Sequence, residues 1–288
     1  MLAAAVLFGT TGTAQALGPD ATTPLGVGAA RLLVGGLALL AVLPLLGARP
    51  ADAVRLWRTP AGLGAGACTA LYQVCFFAGV QRAGVAVGTL VAIGSGPVLA
   101  GLMARLLLGE RPGRSWLVAT GICVTGLALL ALSGGGFTGA GTDGDAVGVL
   151  LAALAGAGYA AYTVLAKQLL RSGSGSAPVM AAAFGLGGLL LVPVLLTQPL
   201  GWLATPGGLA LAAYLGLVTT TLGYVLFGRG LAVLPAGPVT TLVLAEPVVA
   251  TVLGTAVLGE RLSPVGAAGA GLVLVGLVLQ GAGSVRRR

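Results

Sequence analysis

The chain has 288 residues, 57% of them hydrophobic and only 8% charged, with a formal net charge of +8 and a mean hydropathy of +1.04. Soluble domains carry roughly 25% charged residues, so this chain lacks the polar surface of a water-soluble globule and its solvent is lipid. It contains no histidine, which excludes imidazole metal sites and His-based triads, and its bases sit singly between apolar runs, a pattern of membrane orientation rather than nucleic-acid binding.

A helix needs about 20 apolar residues to cross the hydrocarbon core, and only helices or closed barrels satisfy the backbone there. Cutting at Pro, Gly and charge predicts ten spans, approximately 1–17, 24–47, 60–80, 84–108, 113–132, 146–171, 176–198, 208–229, 235–258 and 264–283. These runs are too long for barrel strands. The first opens almost at Met1 with no charged segment ahead of it, unlike a cleaved signal peptide. Cys68, Cys75 and Cys123 all fall inside apolar runs and read as small hydrophobes. The polar stretch 133–145 divides the chain into a first unit at 1–132 and a second at 146–288, five spans each.

The units are related. GPVLAGLMARLLLGERP at 96–112 returns without a gap as EPVVATVLGTAVLGERL at 246–262, an offset of 150 positions. Short-loop charge sets orientation. With the N-terminus inside, the cytoplasmic loops hold Arg49, Arg55, Arg58, Arg105, Arg111, Arg114, Lys167, Arg171, Arg229 and Arg286 to Arg288; the outer ones hold Arg31, Arg82 and Arg261 with Asp20, Asp143 and Asp145. Both termini are expected in the cytoplasm. An odd number of spans per unit makes the second unit enter the membrane from the opposite side, the inverted repeat that many secondary transporters use for alternating access.

These residues resemble the EamA family of the drug/metabolite transporter superfamily. The resemblance rests on the doubled P-V-x-A … L-G-E-R motif (Pro97 with Glu110, Pro247 with Glu260), the opening LFGTTGTAQ from Leu7, the ARLLVGGLAL segment around Arg31, and the glycines Gly121, Gly126, Gly271 and Gly276. It covers essentially the whole chain. It implies an all-α integral membrane fold of ten transmembrane helices in two inverted five-helix repeats. It also implies small-metabolite transport across the inner membrane, with export as the family habit.

Several residues stand out as candidates for a substrate site. Gly94-Ser95-Gly96-Pro97 and Ala245-Glu246-Pro247 are expected to interrupt spans four and nine at equivalent depth, since proline removes a helical hydrogen bond and frees a carbonyl. Glu246 is the only carboxylate deep within a span. An ionised acid there costs about 3 kcal/mol or more, so such a residue faces a cavity or a partner. It reads as a coupling carboxylate, an anchor for a substrate amine, or neutral structural glue. Arg31, two turns into span two, either snorkels outward or offers its planar fork to a carboxylate. Tyr72, Gln73, Tyr159, Tyr162 and Tyr224, with Phe76, Phe77 and Phe227, suit an amphipathic small molecule; Gln15, Ser95, Thr219 to Thr221, Thr240 and Thr241 add hydrogen-bonding capacity. Glu110-Arg111 and Glu260-Arg261 read as helix stops, with gating as the second option.

The expected function is secondary transport of small metabolites or drug-like compounds across the plasma (inner) membrane, as an exporter with proton coupling through Glu246. No P-loop motif is present, which speaks against nucleotide drive. The expected partners are a small-molecule substrate and membrane lipid, with no nucleic acid and no cofactor; a homodimer is compatible. Amino acids and related metabolites lead the substrate classes, and hydrophobic drugs follow. The alternatives are an integral-membrane enzyme acting on lipid or prenyl substrates, which would want clustered carboxylates, and a passive channel.

Overall fold

The computed structural model describes residues 1–111, 113–132 and 146–285, and every regular element among them is helical. The linker 133–145, with Asp143 and Asp145, and the basic end Arg286 to Arg288 lie outside the described residues.

In chain order the helices are α1 (Leu2–Ala16), α2 (Pro24–Val42, prolonged by a 3₁₀ turn Leu43–Leu46), α3 (Pro50–Leu56), α4 (Pro60–Ala83), α5 (Val85–Leu108), α6 (Arg114–Leu132) and α7 (Ala146–Arg171). They continue with α8 (Ser176–Leu190), α9 (Val192–Leu196) and α10 (Pro206–Ala213). A π-helical segment (Tyr214–Leu222) then leads into α11 (Gly223–Val233), α12 (Ala236–Val243), α13 (Ala245–Val257) and α14 (Pro264–Val285). Among the described residues nine helical segments are long and apolar enough to cross a membrane. The expected first span is α1, whose 15 residues extend about 22 Å at 1.5 Å per residue and fall short of the roughly 30 Å core. Large apolar side chains such as Leu106, Leu132 and Val278 point outward, an arrangement only lipid tolerates at this density.

Local chemistry fixes several helix ends. Thr23, Thr59 and Thr205 are each followed by a proline at the first helical position, and each threonine hydroxyl accepts from the backbone N–H of a glycine three residues on, Gly26, Gly62 and Gly208. The proline has no donor to waste there and its φ is already helical. The L-G-E-R runs end α5 and α13 in the same way. Gly109 and Gly259 take φ of 66° and 70°, which a side chain would disfavour, and the N–H groups of Glu110 and Glu260 reach back to Ala104 O and Gly254 O, both at 3.1 Å.

Two expectations need correction. α5 runs unbroken through Pro97; one missing hydrogen bond does not end a helix whose flanking turns are packed on both sides. The second unit does break, but at Leu244, three residues before Pro247, where the Leu244 N–H tightens onto Thr241 O at 3.0 Å between α12 and α13. The short α3 was not foreseen either, because seven residues with two charges carry no apolar period.

Glycine seams bring the helices together. α6 and α14 cross antiparallel, with Gly126 against Gly269 at one end and Gly276 against Ala119 and Cys123 at the other. α4 lies antiparallel on α7 through Gly79, Gly148 and Gly158, and α2 on α8 through Gly36 and Gly188. α1 packs on α13 and α5 on α7. Close backbone approach of this kind is the lipid-phase substitute for a hydrophobic drive.

Candidate functional site

Rings from five helices form one connected cluster. Tyr72 (α4) stacks near Tyr159 (α7) at 5.7 Å between centroids, Tyr159 near Tyr162 at 5.4 Å, and Tyr162 near Phe184 (α8) at 5.7 Å. Phe184 lies 3.7 Å from Tyr224 (α11), which meets Phe8 (α1) at 4.9 Å and Phe227 at 5.6 Å. Phe76 and Phe77 extend the chain of rings beyond Tyr72. Tyr162 and Phe227 are fully buried, whereas Tyr72, Tyr159 and Tyr224 keep accessible surface.

Two opposite charges border the rings. Arg31 on α2 and Glu246 on α13 are half-buried, and both act electrostatically on Tyr72 and Tyr224 and on each other. They do not close into an ion pair, and no described residue hydrogen-bonds the Glu246 carboxylate. Arg31 Nη2 donates to Gln73 Oε1 at 3.3 Å, while its buried Nε has no acceptor among the described residues. The buried Tyr159 hydroxyl has no partner among the described residues either, and that of Tyr162 has Thr163 and Tyr224 as polar neighbours. Sealed polar groups left unpaired in this way cost about 1–3 kcal/mol each, and three of the five such atoms among the described residues lie in this cluster.

The remaining expected residues fall nearby or drop out. Gly96, next to the buried Pro97, lets α5 approach the Tyr159 ring, and the preceding Ser95 stands against Gly156, one turn from Tyr159 on α7, with its hydroxyl turned toward Ala92 O at 3.5 Å. Glu246, next to the buried Pro247, presents its carbonyl to Gly9 of α1. Gln73 is 2% exposed, and its amide is spent on Arg31 and on Gly28 O, so it supports the site from behind. The threonines are also spent. Thr219, Thr220 and Thr221 donate to carbonyls of their own π-helical segment, where the wider turn leaves i−5 oxygens within reach, and Thr221 also reaches Gly35 O. Thr241 joins Thr120 at 2.9 Å and the Trp116 indole at 3.0 Å in a dry contact between α6 and α12. Phe8 and Phe184 were missed. Phe184 is the one aromatic of α8, and that isolation was the available signal.

A polar cluster lies at the end where α5, α7, α11 and α12 converge. Glu110 accepts from Arg171 Nη2 at 2.7 Å and from the Ala236 N–H at 3.0 Å, and Arg171 Nη1 donates to Leu108 O at 2.6 Å. Lys167, 7% exposed, donates to Leu231 O at 2.7 Å, Leu234 O at 2.9 Å and Ala232 O at 3.3 Å. The partner of Glu110 is thus Arg171 rather than the adjacent Arg111. A separate open groove of ≈ 530 Å³, bordered by Asp52, Ser174 and Ser176, shares no residue with the aromatic cluster.

Comparison with known proteins bears on the family and the fold. Over 279 residues the chain is 40% identical to "Uncharacterized transporter YwfM" of Bacillus subtilis (strain 168), spanning 97% of this chain and 91% of that protein. It is 30% identical over 202 residues, 69% of this chain and 64% of the relative, to "Probable terminal-alkyne amino-acid exporter" of Streptantibioticus cattleyicolor. A solved structure described as "Crystal structure of protein" superposes with a TM-score of 0.81 at 20% identity, covering 99% of this chain and 96% of that one, and shares its fold. Residues 1–132 and 146–281 each match the profile of the EamA-like transporter family. Long apolar helices and two matches to one profile have a single account: this is a multi-pass membrane transporter for small molecules, and the chain belongs to the EamA-like transporter family.

Proposed function

We propose that the protein is a secondary transporter of the plasma membrane that moves amino-acid-like zwitterions, in the export direction, by alternating access between two inverted five-helix repeats. The observation that carries this reading is an exchange of contacts under the 150-residue offset. The approach of Gly126 to Gly269 maps onto that of Gly276 to Ala119. The approach of Gly96 to the Tyr159 ring maps onto that of the Glu246 carbonyl to Gly9. Cys123 Sγ donates to the carbonyl of Val273, its own counterpart, at 3.6 Å. Contacts that swap in this way, between helices that cross antiparallel, are what a two-fold axis in the membrane plane produces.

The charges break that symmetry. On α2 and α8 the contacts of Gly36 with Phe184 and of Gly188 with Leu32 exchange, which makes Ala183 the counterpart of Arg31, and that of Glu246 is Gly96, so the cation comes from one unit and the carboxylate from the other, each without a twin. A ligand bearing both a carboxylate and an ammonium matches them, and the rings between suit its apolar part. The exporter named among the relatives, with its amino-acid cargo, favours the same class. Proton coupling falls to Glu246, the one carboxylate in the site.

The ends differ as well. Arg171 closes one end on Glu110 and Lys167 caps the end of α11 beside it, whereas their counterparts near Glu260 are Leu17 and Ala21. The Glu110 end, cytoplasmic by the distribution of bases, is therefore the more firmly latched. The test is saturable flux of a panel of amino acids, amines and organic acids in proteoliposomes, with and without a pH gradient. Non-saturating flux would make the protein a channel, and flux confined to solutes without paired charges would end the zwitterion reading.

A further inference from the structure

We propose that Gln73 is the positioning residue that turns Arg31 into the receptor for the substrate's carboxylate; this rests on the transporter reading above and assigns the machinery of one end of its site. Gln73 is itself out of the ligand's reach. It is 2% exposed, and both ends of its amide are committed: Nε2 donates to Gly28 O at 3.1 Å and Oε1 accepts from Arg31 Nη2 at 3.3 Å. Only this orientation of the amide satisfies both neighbours, since a carbonyl needs a donor and a guanidinium needs an acceptor. The seat is built for it. A side chain on Gly28 would stand 2.8 Å from Gln73 Nε2 and collide with the Phe77 ring, so glycine there leaves the amide and the ring their places.

The consequence is a guanidinium fixed by one of its five donors and free at the others. Nε is buried and has no acceptor among the described residues. A lone arginine two turns into a span would otherwise extend toward the interface, as long basic side chains do. Gln73 holds it inward without neutralising it. A carboxylate in that position would hold it equally well but would consume its charge. A neutral, two-ended amide supplies the hold and leaves the planar fork, which matches a carboxylate and not an amide or an amine, available to the ligand.

The experiment compares acids with their amides. The full chain is reconstituted in phosphatidylethanolamine–phosphatidylglycerol vesicles, and KM and kcat are measured for alanine, leucine and phenylalanine and for alaninamide, leucinamide and phenylalaninamide. The wild type should favour at least one acid over its amide by about tenfold or more in KM, the size of one charge-assisted hydrogen-bond pair. Gln73→Leu should raise the KM of that acid about tenfold, leave its kcat within about twofold and leave the amide unchanged, so that the preference vanishes. In an Arg31→Gln background the preference is already absent, and Gln73→Leu should change nothing further, the coupling a double-mutant cycle detects. Should Gln73→Leu fail to fold, Gln73→Glu keeps the shape, holds Arg31 and should abolish the preference through its charge alone. The proposal fails if the wild type treats acid and amide alike, or if Gln73→Leu or Gln73→Glu leaves the preference intact. It also fails if Gln73→Leu is equally harmful with and without Arg31. Saturable flux blind to the carboxylate overturns the receptor and spares the carrier. Absence of saturable flux for every solute overturns the carrier, and thermal stabilisation of the detergent-purified chain by leucine over leucinamide then still decides the receptor.

Discussion

Lys167→Met removes one ammonium from the latched end and leaves the apolar stem in place. In the folded chain that ammonium caps the carboxyl end of α11, donating to Leu231 O at 2.7 Å, Leu234 O at 2.9 Å and Ala232 O at 3.3 Å. These carbonyls have no further helical turn to accept from, and a cation at that end also faces the negative pole of the helix. Ala232 is exposed, so water replaces the longest bond; Leu231 is fully buried, and water does not reach its carbonyl readily. A hydrogen bond to a charged group contributes about 1.5–3 kcal/mol. Two short bonds, discounted for partial access at Leu234, give about 3 kcal/mol. At roughly 2–4 °C per kcal/mol for chains approaching this length, the unfolding midpoint should fall by roughly 6–12 °C. Intrinsic tryptophan fluorescence of the purified protein during a thermal ramp reads this directly. A methionine variant that melts within about 2 °C of wild type would show that the α11 carbonyls are satisfied without Lys167 and would remove the latch from the account.

Three further outcomes are expected. Gly126→Ala puts a Cβ 2.6 Å from Gly269 O and should force α6 and α14 apart at about 1–3 kcal/mol, whereas Gly121→Ala on the same helix meets nothing within 4 Å and should be neutral or mildly stabilising; equal melting temperatures would contradict the seam. Glu246→Gln should express normally and abolish the effect of a pH gradient on flux, and a variant with the wild-type pH profile would sink the coupling role. A reporter fused after Ser284 should read as cytoplasmic, and a periplasmic signal would reverse the assigned orientation.

Much of the architecture was readable before any coordinates. Span positions follow from hydropathy because lipid imposes one rule, backbone satisfaction within each segment, on all of them. The doubled L-G-E-R run was readable as a helix stop because Gly109 and Gly259 carry a conformational demand that only local sequence meets. Arg31, Glu246 and the tyrosines stood out because ionisable and aromatic-polar groups are rare where the medium is apolar. What the sequence left open was how these groups divide their bonds. It could not reveal that Gln73 and the threonines are consumed by protein partners, or that Arg31 Nε and the Tyr159 hydroxyl have none among the described residues. It placed a break at Pro97, where packing holds α5 continuous, and it could not show that helix convergence brings Arg171 to Glu110. Hydropathy is a property of single residues summed along the chain, so sequence determines where helices lie. Hydrogen-bond allocation depends on which helices meet and at what rotation, and only the tertiary structure decides that.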